Sequence, residues 1–240
     1  MAIMLVAAAV CPCPPLLVPE VAAGAAAELE GLRDACADAV GVLAASRPGL
    51  LVVVGPAGGT VPGVHRAGAT GSFRGFGVDL GVRLGHGTGG AADRELPASL
   101  AVGAWLLERA RWDACPVEGL GLDENADAGG CAEAGRGIAA REERVALLVM
   151  GDGSACRTVK APGYLDERAA GFDAEAARAL GSADLAALTA LDPELALQLK
   201  VSGRTPWQVL AGAAEDAGLD GRLLYEDAPY GVGYYVATWA

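Results

Sequence analysis

Cys11-Pro12-Cys13 places two thiols one residue apart behind an apolar run, and the proline between them stiffens the segment. On an extended chain alternate residues face the same way, so both sulfurs point to one side. Such a pair suits a soft metal, Cu(I) or Zn²⁺, or a reactive thiolate. The spacing is not the two-residue gap of a zinc knuckle or a redox Cys-x-x-Cys, and the plainer reading is two small buried hydrophobes. Asp152, in Gly151-Asp152-Gly153-Ser154 after another apolar run, is the carboxylate best placed to act as a base. Its plainer role is to accept from backbone N–H groups of its own turn. The two histidines, His65 and His86, both sit in glycine-rich surroundings, where each is a candidate ligand or base or simply surface. Gly55-Pro56-Ala57-Gly58-Gly59 could offer N–H groups to an anion, but it matches no nucleotide-binding pattern and reads equally as a tight turn.

These residues follow strands. Ile3–Val10, Leu50–Val54 and Arg144–Met150 are apolar runs of strand length, each closed by small residues or proline. Between the first two, Glu20–Ala45 carries Leu29, Leu32, Cys36, Val40 and Leu43 at steps of three or four, which predicts one long amphipathic helix. Strand, helix, strand is the unit of a parallel sheet. In such sheets ligands bind beyond the carboxyl ends of the strands, so the three loops at 11–15, 55–59 and 151–156 converge if their strands are neighbours.

Elsewhere, Phe76–Leu84 alternates like an exposed strand, Gly85–Asp93 reads as a glycine-rich loop, and Pro97–Trp112 as a helix. Glu118–Gly137 has no clear period. Phe172–Leu180, Ser182–Leu191 (capped by Ser182), Asp192–Lys200 and a segment opened by Thr205-Pro206 read as helices. Leu223–Glu226 and Gly233–Thr238 read as late strands. Residues 1–240 form one α/β domain, a central mostly parallel or mixed sheet flanked by helices.

Composition narrows the function. Thirty acidic against 18 basic residues give a net charge of −12, which disfavours nucleic acid as a partner. Mean hydropathy is +0.33, yet charges recur and no apolar run reaches the ~20 residues of a membrane span. The opening MAIMLVAAAVCPCPP lacks a positive flank and reads as a buried strand, not an export signal. Six cysteines in a chain read this way point to a reducing cytoplasm. The expected partner is a small molecule; a homodimer stays open, since only 5% of residues are aromatic and no apolar interface stands out.

Taken in order, several segments resemble a known family. Pro12-Cys13-Pro14-Pro15-Leu16-Leu17-Val18-Pro19-Glu20, Leu51–Gly58, Val149-Met150-Gly151-Asp152-Gly153-Ser154, the stretch from Tyr164 to Phe172-Asp173, and Glu226–Val232 through Trp239 are similar to class III extradiol ring-cleavage dioxygenases. The likeness is to the protocatechuate 4,5-dioxygenase β-subunit type and to Memo-like proteins, and its last segment looks most like actinobacterial members of unassigned role. It spans nearly the whole chain in short motifs. It implies an α/β fold, an aromatic small-molecule substrate and, in active members, a non-haem Fe(II) held by two His and a carboxylate. This chain departs at those positions: Cys13 and Ala57 stand where the two His ligands fall, and Ala155 where the family keeps an acid/base His. Glu226 is the candidate for the carboxylate. Fe(II) held in the usual way is therefore not expected. Three readings follow: an altered enzyme using Cys13 or Cys11 as ligand or thiolate, Asp152 as base and His86 from its loop, with Cu, Zn or no metal; a non-catalytic binding module; and an iron dioxygenase with atypical ligands.

Overall fold

The computed structural model describes residues 4–87 and 94–240. Ile3 and residues 88–93 of the expected glycine-rich loop lie outside that range.

The first strand, β1 (Met4–Cys11), leads through Pro14 and Pro15 into a short turn of helix, α1 (Pro19–Ala22). The single helix predicted over 20–45 is divided. Ala23 takes a φ of 49°, a 3₁₀ segment runs over Ala23–Leu29, and α2 covers Glu30–Ala45. Gly24 among alanines holds a continuous helix weakly, and the buried Arg33 guanidinium of α2 donates back to the Ala26 carbonyl, fixing the tighter segment. Then come β2 (Leu50–Pro56), β3 (Gly63–His65), β4 (Thr70–Ser72), β5 (Gly81–Arg83) and α3 (Ala98–Arg109). The strand predicted at 76–84 is shorter. Arg74–Phe76 is a 3₁₀ turn, Gly77 sits at φ 86°, and only Gly81–Arg83 is extended, paired with β4 in a separate ribbon.

The unreadable stretch resolves into β6 (Val117–Leu122) and α4 (Ala128–Ala139), capped by the Asp127 carboxylate on the Gly130 N–H at 2.9 Å. Beyond β7 (Arg144–Met150) lie α5 (Ala169–Gly181), α6 (Leu185–Thr189), α7 (Pro193–Gln198), α8 (Arg204–Ala213), β8 (Gly221–Asp227) and β9 (Tyr234–Trp239). Two expected caps move. Asp184, not Ser182, caps α6 through the Ala187 N–H, while Ser182 closes α5 by donating to the Arg178 carbonyl. Thr205 lies inside α8 instead of capping it, because the helix starts at Arg204, two residues before the expected first position at Pro206.

Seven strands form one sheet in the order β3-β6-β2-β7-β1-β9-β8. β6, β2, β7 and β1 run parallel, and β3, β9 and β8 add antiparallel edges, so the sheet is mixed. Alternate strand residues feed two cores. Ala7, Ala9, Cys11, Val53 and Met150 pack with α2 and α3, whereas Ala8, Val10, Val54 and Val149 pack with α5 and α8. β2, β7 and β1 are adjacent, so the three loops do converge at one end of the sheet. No helix among the described residues is long and apolar enough to cross a membrane.

Glycine explains why two elements left no hydrophobic period. In β6, a Cβ on Gly119 would lie 2.9 Å from Leu84 and 3.1 Å from Leu100, so a core-facing position carries no side chain. In α4 and α8 the backbones touch: a Cβ on Gly135 would meet the Val209 carbonyl oxygen at 2.1 Å, and one on Gly212 the Ala132 oxygen at 2.3 Å. Neither neighbour can yield, because both are backbone. Gly212→Ala is expected to destabilise the protein by about 3 kcal/mol, at the upper end of ordinary overpacking. Gly137→Ala, in open space on α4, should instead gain about 0.5–1 kcal/mol. Urea unfolding of both variants checks the contrast.

Candidate functional site

At the carboxyl end of β1 the chain turns through buried Pro12 and Cys13, and at the end of β7 through Gly151 and Asp152. The Gly151 N–H donates to the Cys11 carbonyl (3.0 Å), and the Cys13 N–H donates to Asp152 Oδ1 (2.7 Å). A third segment closes the site. Ser202, between α7 and α8, accepts from the Asp152 N–H through Oγ (3.0 Å), and the Gly203 N–H donates to the Asp152 carbonyl (2.9 Å). This approach depends on two glycines, since a Cβ on Gly151 would sit 2.5 Å from Gly203 Cα. Tyr234, at the start of β9 and 2% exposed, completes the group from the same face of the sheet as Cys13.

The electrostatics follow from enclosure. Burial raises the Asp152 carboxyl to about 7, only partly offset by the Cys13 N–H on its Oδ1. Burial pushes the Cys13 thiol well up, the charge of Asp152 adds to that rise, and a hydrogen bond from Ser202 opposes it. Tyr234 is raised by burial and then by Asp152. Near neutrality the site therefore holds a thiol and a phenol in their neutral forms beside a carboxyl close to half-protonation. Thiolate chemistry is suppressed here, while proton exchange at Asp152 is favoured. Among the described residues Asp152 Oδ2 carries no hydrogen bond, and it is the atom available for that exchange.

The other candidates are scattered. Cys11 shares the face of Cys13, but it is fully buried and hydrogen-bonded with Cys36 of α2. His86 is exposed at the opposite end of the sheet, next to Gly85, whose added Cβ would touch Val117 at the start of β6; it lines a pocket with Trp112 and Arg111. Glu226 is exposed on the edge strand β8, beside Arg157 and Tyr235. His65, on β3 and 4% exposed, comes closer. Its Nε2 and Ala57 Cβ would each lie 3.7 Å from a Cβ on Gly121. Gly58 and Gly59, at φ 57° and 83°, close a turn in which the Thr60 N–H donates to the Ala57 carbonyl. Among the described residues no group of three His, Cys, Asp or Glu side chains converges to hold a metal ion.

Ser154 and Asp173 form a second buried cluster behind the loop. Asp173, on α5 with no exposed surface, accepts from the Ser154 N–H (2.8 Å), the Ser154 hydroxyl (2.7 Å) and the Arg157 guanidinium (3.0 Å). Gly153 and Gly233 then pair across the loop, the Gly153 N–H donating to the Gly233 carbonyl at 2.7 Å. A side chain on either glycine would strike the Tyr235 hydroxyl at 2.6 and 2.5 Å.

Next to the site is a pocket of about 440 Å³, walled by Glu124 and Asn125 after β6 and by residues of α7 and the segment 200–204. Ser202 is common to the pocket and to the Asp152 cluster. Sequence reading missed Ser202, Tyr234 and this pocket, because none follows an apolar strand and each depends on contacts 50 or more positions along the chain.

No family model and no curated protein matches the chain. Among solved structures, the fold is similar to that of uncharacterized protein JW3007 from Escherichia coli K12, with a TM-score of 0.59 and 16% identity over 98% of this chain and 99% of that one. At that identity the likeness concerns the fold.

Proposed function

We propose that this chain is a divergent extradiol-dioxygenase-like protein whose strand-end crevice binds a small molecule and exchanges a proton with it at Asp152, without Fe(II) ring cleavage. The observation that carries the reading is the convergence of Cys13, Asp152, Ser202 and Tyr234 around a carboxyl near half-protonation. Iron of the family's kind does not fit these side chains. The ends of β1, β2 and β7 present a thiol, Cys13, and the methyls of Ala57 and Ala155 where two imidazoles and a third histidine would be needed.

In the proposed site Asp152 Oδ1 is held by the Cys13 N–H, so the carboxyl keeps one orientation and Oδ2 faces the ligand. Ser202 Oγ fixes the Asp152 backbone, and the Tyr234 phenol and Cys13 thiol remain neutral donors. All six cysteines are free, which supports a reducing, cytoplasmic setting. The test has two parts. Oxygen uptake with Fe(II) and protocatechuate is expected to stay at background, and turnover would overturn the proposal. Any turnover found by substrate screening should lose its pH break near 7 and fall about 10²-fold or more in Asp152→Asn. A variant as active as the parent would leave a site in which Asp152 is only structural.

A further inference from the structure

The pocket beside Ser202 has charged walls of unusual disposition. Arg204 is only 4% exposed, yet its guanidinium meets no carboxylate: it donates to the carbonyls of Glu124 and Ala126 and to Gln208 Oε1 (3.0 Å). It therefore anchors the Glu124 loop as one rigid wall and leaves a positive charge behind it. Lys200 closes the far end of α7 at a φ of 56°, and among the described residues its ammonium makes one long hydrogen bond, 3.5 Å, to the Pro162 carbonyl and no ion pair. Glu194 stands at the first turn of the same helix, and neither Glu194 nor Glu124 has an ion-pair partner among the described residues. Leu197 lies between them, 67% exposed although it lines the pocket.

The α7 wall thus offers a carboxylate, Glu194, at one end and an ammonium, Lys200, at the other, with the exposed Leu197 between. Glu194 and Lys200 are six residues apart, about 9 Å along the helix direction. Flexible side chains bring their charged tips within reach of a ligand somewhat shorter than that. Single-sign ligands meet repulsion at one end, so a zwitterion is selected against both a plain anion and a plain cation.

We propose that this pocket binds a small zwitterion of dipeptide length, its ammonium on Glu194, its carboxylate on Lys200, and its apolar side chain over Leu197. The proposal rests on the reading of the Asp152 crevice as a ligand site, which this pocket adjoins through Ser202, and it names the class of ligand held there.

The probe is the dipeptide Ala-Leu, titrated calorimetrically into the full chain, with N-acetyl-Ala-Leu and Ala-Leu amide as blocked forms. Each blocked form is expected to bind about tenfold more weakly, the scale of one lost charge-assisted contact. Lys200→Gln should abolish the difference between Ala-Leu and its amide, and Glu194→Gln should reduce the difference between Ala-Leu and its acetylated form. The exposed Glu142→Gln serves as the control and should change nothing. All these positions are on the surface, so folding is not at risk. Undetectable binding of Ala-Leu, equal binding of the blocked forms, or an unchanged preference in Lys200→Gln would overturn the zwitterion pocket. None of those results bears on Asp152, whose own pH titration tests the crevice separately.

Discussion

Asp173→Ala is expected to cost about 3 kcal/mol of folding stability, read as a lowered urea midpoint at constant slope. The carboxylate has no exposed surface and holds three donors: the backbone and hydroxyl of Ser154 and the guanidinium of Arg157. Removing one partner of a buried ion pair costs about 3–5 kcal/mol, because the groups left behind cannot all find water. Arg157 is 32% exposed and can turn outward, which places the cost at the lower end. The Ser154 N–H cannot turn, and its loss of an acceptor is the larger part. Asp173→Asn keeps the shape and one acceptor, so about 2 kcal/mol is expected. The same change should loosen the loop 151–155 that carries Asp152, visible as faster amide exchange at Ser154. A cost below about 1 kcal/mol for the alanine variant would mean that the loop is held by its glycine pairing alone.

Asp152 should make the protein less stable as pH rises. Its carboxyl is raised from an ordinary value near 3.8 to about 7 by burial. Between those values the folded state keeps a proton that the unfolded chain has released, so stability declines with pH, by up to about 1.4 kcal/mol per pH unit. Below about pH 4 both states are protonated and the contribution is fully present; above about 7 it is gone. Asp152→Asn removes this slope, because an amide keeps the acceptor for the Cys13 N–H and cannot ionise. The variant should match the parent near pH 4 and exceed it by up to about 4 kcal/mol at pH 8, less to the extent that water reaches the carboxyl. The difference between parent and variant isolates this group from the other acids, including Glu124 and the neighbouring Cys13 and Tyr234. Parallel stability curves for the two proteins from pH 4 to 8 would show that Asp152 is ionised and solvated throughout.

Part of the architecture was legible because its signals are local. The apolar runs of β1, β2 and β7 are buried on both faces, as strands inside a parallel sheet must be, and their terminating prolines and glycines stand next to them in the chain. Cys13 and Asp152 were found on that basis alone. The shared face of Cys11 and Cys13 also follows from the two-residue period of a strand. Where glycine replaces a core side chain, the period vanishes. Gly119 in β6 and Gly135 in α4 are buried precursors of close contact that no hydropathy pattern records. The broken helix at Ala23 was equally hidden, since Ala and Gly fill both the continuous and the divided path.

What the chain alone determined is the set of strand ends and the residue types waiting there: a thiol, a carboxyl on a tight turn, and small alanines. What the tertiary structure decided is their state. Ser202 and Tyr234 enclose Asp152 from segments 50 and 82 positions later in the chain, and that enclosure removes the water that would otherwise keep the carboxyl ionised. It likewise keeps the Cys13 thiol protonated. Composition sets which groups exist; the proton each one carries depends on desolvation and neighbouring charge, and those arise only when distant segments pack.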